Sequence, residues 1–284
     1  MEGSSIALYG DTGSGKTTQI GVHAKAKYKK EKKFTNLYAA DMGGYGSIAP
    51  LVKVGIIRVI PLLPTDDPWI WINNSAEGRG LNGEELNPDE IGCLAYDSAT
   101  SNGEALLTNC ANAPFQIGSQ KTQKFTVNRG ANTLQVGMTN ENHFGVVQGF
   151  MLNMIWKSTW LTKRGPDVLW TFSILRGEGP DQIPVLGPKL AGKALTAAIP
   201  KWFNYTFMLT SIPELDKAPR HVLYLQEQPN EYGSVSFGNL RFPLDAVTTA
   251  PISIEPADIE QALELVATAN DEAEASLREE LNIY

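Results

Sequence analysis

IALYGDTGSGKTTQI, residues 6–20, decides how the rest of the chain is read. The apolar run Ile6 to Tyr9 breaks into Gly10, Gly13 and Gly15. From Lys16 to about Lys32 the composition turns helical, with neither Gly nor Pro after Gly21. That order predicts a strand, a tight loop and a helix. Gly10 through Thr17 satisfy G-x-x-x-x-G-K-[ST], and each position has a physical reason. The glycines take backbone angles closed to other residues. The loop N–H groups then converge on an anion at the positive end of the helix. Lys16 brings a point charge to the outer phosphates, and the Thr17 hydroxyl completes the oxygen shell of Mg²⁺. A chance match in a chain of this length is on the order of one in a hundred. The expected nucleotide-binding residues are therefore Gly10, Asp11, Thr12, Gly13, Ser14, Gly15, Lys16, Thr17 and Thr18, with ATP and Mg²⁺ as cofactors.

Outward from this loop, short apolar runs at 36–41 (NLYAAD), 55–63 and 92–97 (GCLAYD) alternate with helical stretches, one of them near 103–110. Strand and helix in alternation, with Gly at the turns, predict an α/β fold with a mainly parallel central sheet flanked by helices. Residues 111–142 are polar and Gly-rich, and read as a long loop or insertion. A helix is expected over 145–163 and a strand over 167–175. A Gly/Pro-rich stretch follows to about 192, and further strands over 201–210 and 220–228. Trp69 and Trp71 alternate as strand residues do. Pro251 marks a break before an acidic C-terminal helix over 256–281, so the expected division is residues 1–250 and an acidic tail, 251–284. No internal repeat is present.

A phosphate loop needs a carboxylate at a strand end to hold the metal. CLAYDSAT offers Asp97, with Thr17 as the other metal-side oxygen. Asp and Ser also suit a helix N-cap, and Asp97 and Ser98 can divide the two tasks. Hydrolysis further needs a group that orients water. Asp41 ends NLYAAD and is the best-placed candidate, against the alternative of a loop-capping aspartate. Asp11 and Glu104 are weaker competitors. Lys16, Asp41 and Asp97 form the expected catalytic set.

Composition narrows the classes. With 42% hydrophobic and 19% charged residues the chain can bury a large core and is not of disordered type. No apolar run approaches the roughly 18 residues that span a bilayer, so no membrane role is expected. The opening residues lack the basic flank and cleavage site of a secretory signal. Two cysteines, Cys93 and Cys110, are too few for a disulfide framework, and a reducing, cytoplasmic setting is expected. A net charge of −7 speaks against coating nucleic acid by bulk electrostatics, while leaving room for a local basic groove. The basic run KAKYKKEKK (25–33) reads as a solvated helix end. His23, His143 and His221 show no ligand spacing and are assigned no chemistry.

GDTGSGKTT, LYAADMGGYGSIAPL and LAYDSAT together resemble the RecA-like P-loop ATPases. More narrowly, these stretches resemble small phage-encoded, AAA-type RecA-related nucleotide-binding proteins, some of which act in single-strand annealing and recombination. GPKLAGKALTAAIPKWFNYTFMLT resembles a later part of the same group. The resemblance covers about residues 4–225. It implies phosphate binding by Gly13, Gly15, Lys16 and Thr17, with Asp97 at the magnesium. It implies Asp41 where the family carries a glutamate, one methylene shorter and so suited to slow hydrolysis. It places a polar phosphate sensor at the end of LWTFSIL, where Thr171 and Ser173 are the short polar residues. By the same resemblance, two loops would touch single-stranded DNA. One spans 112–142 with Lys121, Lys124 and Arg129 beside Phe125, and the other spans 176–192 with Arg176 and Lys189. Ordinary surface charge on polar loops is the alternative. The family places nucleotide between subunits, so a homo-oligomer is expected. Arg176, Lys189, Lys193, Lys201 and Arg220 are the candidates to act across that interface. A small-molecule kinase and a nucleotide-organised assembly protein with little hydrolysis are the rival functions.

Overall fold

The computed structural model describes residues 2–41, 45–112, 139, 141–178, 184–190, 199–229, 235–240 and 251–281, with strand backbone at 116–117, 120–121, 124–129 and 132–137. The first half runs β1 (Ser5–Gly10), α1 (Lys16–Glu31), β2 (Phe34–Ala39), α2 (Ala49–Lys53), β3 (Ile57–Pro61), α3 (Pro68–Ala76), β4 (Ile91–Asp97) and α4 (Ala99–Asn112). Then come β5 (Gln116–Ile117), β6 (Gln120–Lys121), β7 (Lys124–Arg129), β8 (Asn132–Gly137) and α5 (Glu141–Thr159). The second half adds β9 (Asp167–Phe172), β10 (Ile174–Glu178), β11 (Pro184–Pro188), β12 (Tyr205–Ile212) and β13 (Arg220–Tyr224). It ends with β14 (Gln226–Pro229), β15 (Val235–Leu240), β16 (Ser253–Ile254) and α6 (Ile259–Glu280).

The expected α/β class with a mainly parallel sheet is what the chain forms. Strands β12-β1-β9-β4-β2-β3 lie side by side and all parallel, while β10, β11, β13, β14, β15 and β16 extend the sheet with mostly antiparallel pairs. Strand β1 sits between β12 and β9, with Gly10 opposite Leu209 and Tyr9 opposite Phe172. Parallel strands covered on both faces read as continuous apolar runs, which is why IALY and GCLAY carry no polar alternation. The two faces are filled differently. Ile6, Leu8, Leu37, Ala39, Cys93, Ala95 and Leu169 point to the side that holds Ile20 and Ala24 of α1 and Ile259 and Ala262 of α6. Tyr9, Tyr38, Tyr96, Trp170 and Phe172 point to the other side, against α3, α4 and α5. There Tyr96 stacks on Trp170 at 4.1 Å and on Tyr38 at 5.2 Å, so one row of aromatic rings crosses three neighbouring strands. Cys93 and Cys110 are free and buried.

Several expectations are corrected. Trp69 and Trp71 lie on helix α3, not on a strand. Asp67 accepts the Trp69 N–H at 3.0 Å as N-cap and Pro68 takes the first helical position. Pro68, Trp71, Ile72, Ser75 and Ala76 are buried at helical spacing, and a four-residue window of alternation was too short to reveal it. Segment 111–142 is not one structureless loop. Its described backbone forms two antiparallel pairs, β5 with β6 and β7 with β8. The expected strand 167–175 breaks at Ser173, whose N–H is taken by the Thr100 hydroxyl, and β10 leaves to pair with β11. The C-terminal helix is docked through its first half: Gln19 of α1 accepts the Ile259 N–H and donates to the Ala257 carbonyl. None of the described helices is long and apolar enough to cross a membrane.

Candidate nucleotide site

The loop between β1 and α1 is a tight cradle. Gly15 precedes the helix at φ 101°, a left-handed angle that strains any side chain. A Cβ at Gly10 would lie 2.2 Å from the Leu209 carbonyl oxygen, so β12 approaches too closely for any other residue. Lys16 folds across the loop, its ammonium donating to the carbonyls of Gly10 and Asp11 at 2.8 Å each. Burial lowers its pKa, against the pull of Asp97, Asp11 and Asp41. The Ser14 hydroxyl is fully buried within this loop and has no hydrogen-bond partner among the described residues.

Asp97 ends β4 beside this cradle and is clamped by two hydroxyls. Thr17 donates to Oδ2 at 2.8 Å and Thr171, from β9, donates to Oδ1 at 2.5 Å. Only 5% of Asp97 is exposed, and burial raises its pKa above the usual carboxylate value despite the two hydroxyls and Lys16. Topology makes this clamp: β9 lies between β1 and β4, so the second threonine comes from a strand that is remote in sequence. The chain after β2 is tied to the same point, because the N–H groups of Ala40 and Asp41 donate to the Asp97 carbonyl at 2.8 and 3.3 Å. Asp41 is exposed there and acts electrostatically on both Lys16 and Asp97. Ser98 accepts the Ser101 N–H at 3.1 Å and caps α4, so the Asp-Ser pair divides its tasks between strand end and helix start.

The remaining candidates fall into place unevenly. Thr12 and Thr18 are exposed on the loop. Arg176 reaches the loop itself, donating to the Asp11 carboxylate at 2.8 Å. Lys189 pairs with Glu104 at 3.3 Å, and Arg220 with Glu214 and Glu255 at 2.7 Å each. The side chains of Lys121, Lys124 and Arg129 lie outside the described residues, as do Gly43, Gly44 and Lys193. Two residues at the site were not foreseen. His221 Nδ1 stands 3.0 Å from the Ser14 carbonyl oxygen, brought there by β13. Tyr45 sits close enough to Asp97 and Asp41 that burial, and then these carboxylates, push its pKa to about 12. Its hydroxyl is buried without a partner among the described residues. No local motif marks a tyrosine or a histidine that reaches a loop through tertiary packing.

The donor set suits the expected cofactors. The Thr17 hydroxyl and the Asp97 carboxylate are hard oxygen ligands of the kind Mg²⁺ takes, and the buried Ser14 hydroxyl and the loop amides suit phosphate oxygens.

No family model matches the chain, and no curated protein matches it. Among solved structures it is similar to the flagellar accessory protein FlaH from Methanocaldococcus jannaschii, at 11% identity and a TM-score of 0.39, over 78% of this chain and 77% of that one. It is also similar to a KaiC-like protein from Pyrococcus horikoshii OT3, at 14% identity and a TM-score of 0.41, over 79% of each chain.

Proposed function

We propose that this protein binds ATP with Mg²⁺ at the Gly10–Thr18 loop and hydrolyses it slowly, as a RecA-like ATPase. The observation that carries the reading is the buried Asp97 carboxylate held between the hydroxyls of Thr17 and Thr171. A carboxylate buried this deeply without a cationic hydrogen-bond partner is costly, and a divalent ion held there would supply the missing charge. Mg²⁺ held by Thr17 and Asp97 would neutralise charge on the phosphates and orient them. Lys16 adds its ammonium and the loop adds its amides at the phosphate oxygens. Asp41 orients the attacking water, so catalysis is positioning and electrostatics.

The finer reading is a homo-oligomer that couples this hydrolysis to single-stranded DNA in recombination, annealing or replication of the phage-encoded type. Its support is the sequence resemblance carried by GDTGSGKTT, LYAAD and LAYDSAT. The test is phosphate release under single-turnover conditions with and without single-stranded DNA. Release within minutes, faster with DNA, is expected. Nucleotide that stays bound and uncleaved for hours would overturn hydrolysis and favour the assembly-protein alternative. Transfer of phosphate to an added nucleoside would favour the kinase alternative.

A further inference from the structure

A second concave site lies at the opposite end of the same strands. A cavity of about 740 Å³ opens where β4 begins at Ile91 and where β9 is entered through Pro166. Asp97 stands at the other end of β4, six residues on, so the two sites are separated by roughly 20 Å of strand. The volume falls in the range of roughly 300–1,000 Å³ that small-molecule sites occupy. Its apolar floor is made by Ile91, Leu94 and Leu161.

Two features of its wall are unusual for a surface. Trp156 and Trp160, one helical turn apart, are 51% and 56% exposed. Their rings meet edge to face, with centroids 5.9 Å apart and planes at 75°. An edge-to-face contact covers at most one face of one ring, and about half of each side chain stays exposed beside the cavity. The second feature is charge. Lys157 and Arg79 share a single carboxylate, that of Glu77, at 2.9 and 3.3 Å. Arg164 is exposed and pairs with no carboxylate among the described residues. Against these three cations the lining has only Glu77 and Glu85, which leaves the cavity net positive in a chain of net charge −7.

Open indole faces select a flat aromatic ring, and an unpaired guanidinium selects an oxyanion that it can hold with two N–H groups. We propose that this cavity is a binding site for a nucleobase carrying its phosphate, the base stacked on the Trp160 indole with Trp156 at its edge and the phosphate held by Arg164 and Arg79. The unit reaches the site either as a free mononucleotide or as part of a single strand. In either form the site is separate from the phosphate loop, and the proposal stands independently of ATP hydrolysis there. The −7 charge keeps affinity local: one phosphate contact gives a salt dependence with a slope of about −0.7 for a single strand, far from the steep response of a basic groove.

The test is fluorescence anisotropy of the full chain with a labelled octathymidylate at low salt, with unlabelled thymidine monophosphate as competitor. Trp160→Ala and Arg164→Glu each weaken binding about ten-fold, as loss of one stacking or one charge-assisted contact requires. Both residues are exposed, so melting temperature and ATP turnover stay at the parent's values. Displacement by the monophosphate at equal nucleotide concentration identifies the free nucleotide as the source, and failure to displace identifies the strand. A parent that binds the octamer but turns over no ATP would sink the hydrolysis reading and leave this one standing. Absence of binding by both probes up to 1 mM overturns the proposal. Equal affinity in parent and both variants overturns it too, as does self-association of the chain that Trp160→Ala abolishes while neither probe binds.

Discussion

Two buried aspartates on neighbouring strands meet opposite fates. Asp97, at the carboxyl end of β4, and Asp167, at the amino end of β9, are 5% and 4% exposed. Asp97 receives neutral hydroxyls from Thr17 and Thr171, and burial leaves its pKa raised. Asp167 receives His23 Nε2 at 3.0 Å, the Lys27 ammonium at 2.8 Å and the Ser4 N–H at 2.6 Å. Burial again opposes its charge, but these partners outweigh burial and hold its pKa below the usual value. On its other side His23 Nδ1 meets Glu260 at 2.5 Å, which ties the phosphate-loop helix to the C-terminal helix. Asp167 is an internally completed ion network. Asp97 has only hydroxyls as side-chain partners among the described residues, and under the proposed function a bound metal would supply the missing charge.

The comparison can be broken at either end, and the largest effect is expected at Asp97. Asp97→Asn keeps the shape and removes the charge that would hold the proposed metal, so single-turnover hydrolysis should fall by about 10²–10³-fold. Residual turnover within a few-fold of the parent would show that the carboxylate has no such task. At the other end, His23→Ala should cost about 3 kcal/mol and lower the melting temperature by several degrees, because the buried Asp167 carboxylate loses one of its two cationic partners. Thermal denaturation followed by circular dichroism reads this directly.

The pH response sharpens the contrast. For His23, burial opposes the charge, yet Asp167, then Cys93 and Glu260, hold its pKa well above the ordinary 6.5. Its contribution to stability is therefore complete below about 6.5 and is lost as pH rises through the folded value. Asp167 runs the other way, contributing above its unfolded value and failing as pH falls through its lowered folded one. The parent's melting temperature should decline on the alkaline side, and His23→Ala should lack that limb. An identical alkaline decline in both proteins would remove His23 from the explanation.

Smaller effects separate the two carboxylates further. Thr171→Val deletes one of the two hydroxyls on Asp97 and should slow hydrolysis about ten-fold while ATP still binds, measured as phosphate release beside nucleotide affinity. Without nucleotide, Asp97→Asn should raise the melting temperature. The folded chain holds the Asp97 proton more tightly than the unfolded chain does, so ionisation costs stability once pH passes the unfolded value, and the amide escapes that cost. A lower melting temperature would contradict the view that this end is tuned for a ligand rather than for the fold.

How legible each end was in the sequence follows from distance along the chain. Gly10 to Thr17 is contiguous, and Asp97 closes an apolar run, so local pattern exposed the phosphate loop and the strand that faces it. Asp41 was read from the same logic, and the structure brings it beside Asp97. Thr171 was one of two sensor candidates, and only the break at Ser173 and the position of β9 place it against the carboxylate. The amino end gave no signal. His23 and Asp167 are 144 residues apart and His23 and Glu260 are 237 apart, with no spacing to connect them. His23 was accordingly assigned no chemistry. Within the sequence Lys27 reads as part of a solvated basic run, whereas its ammonium is drawn in by Asp167. The α3 tryptophans failed for a different reason: the helix-start signal of Asp67 and Pro68 was present, but a short alternation outweighed it.

The central claim, that Lys16 and Asp97 together hold a magnesium triphosphate, is tested most directly by titrating a fluorescent ATP analogue into the parent and Lys16→Ala, with Mg²⁺ and with chelator. The parent should bind, at least ten-fold more tightly with Mg²⁺ than without, and Lys16→Ala should lose most of that affinity. Equal affinity in the two proteins, or no response to Mg²⁺ in the parent, would contradict it.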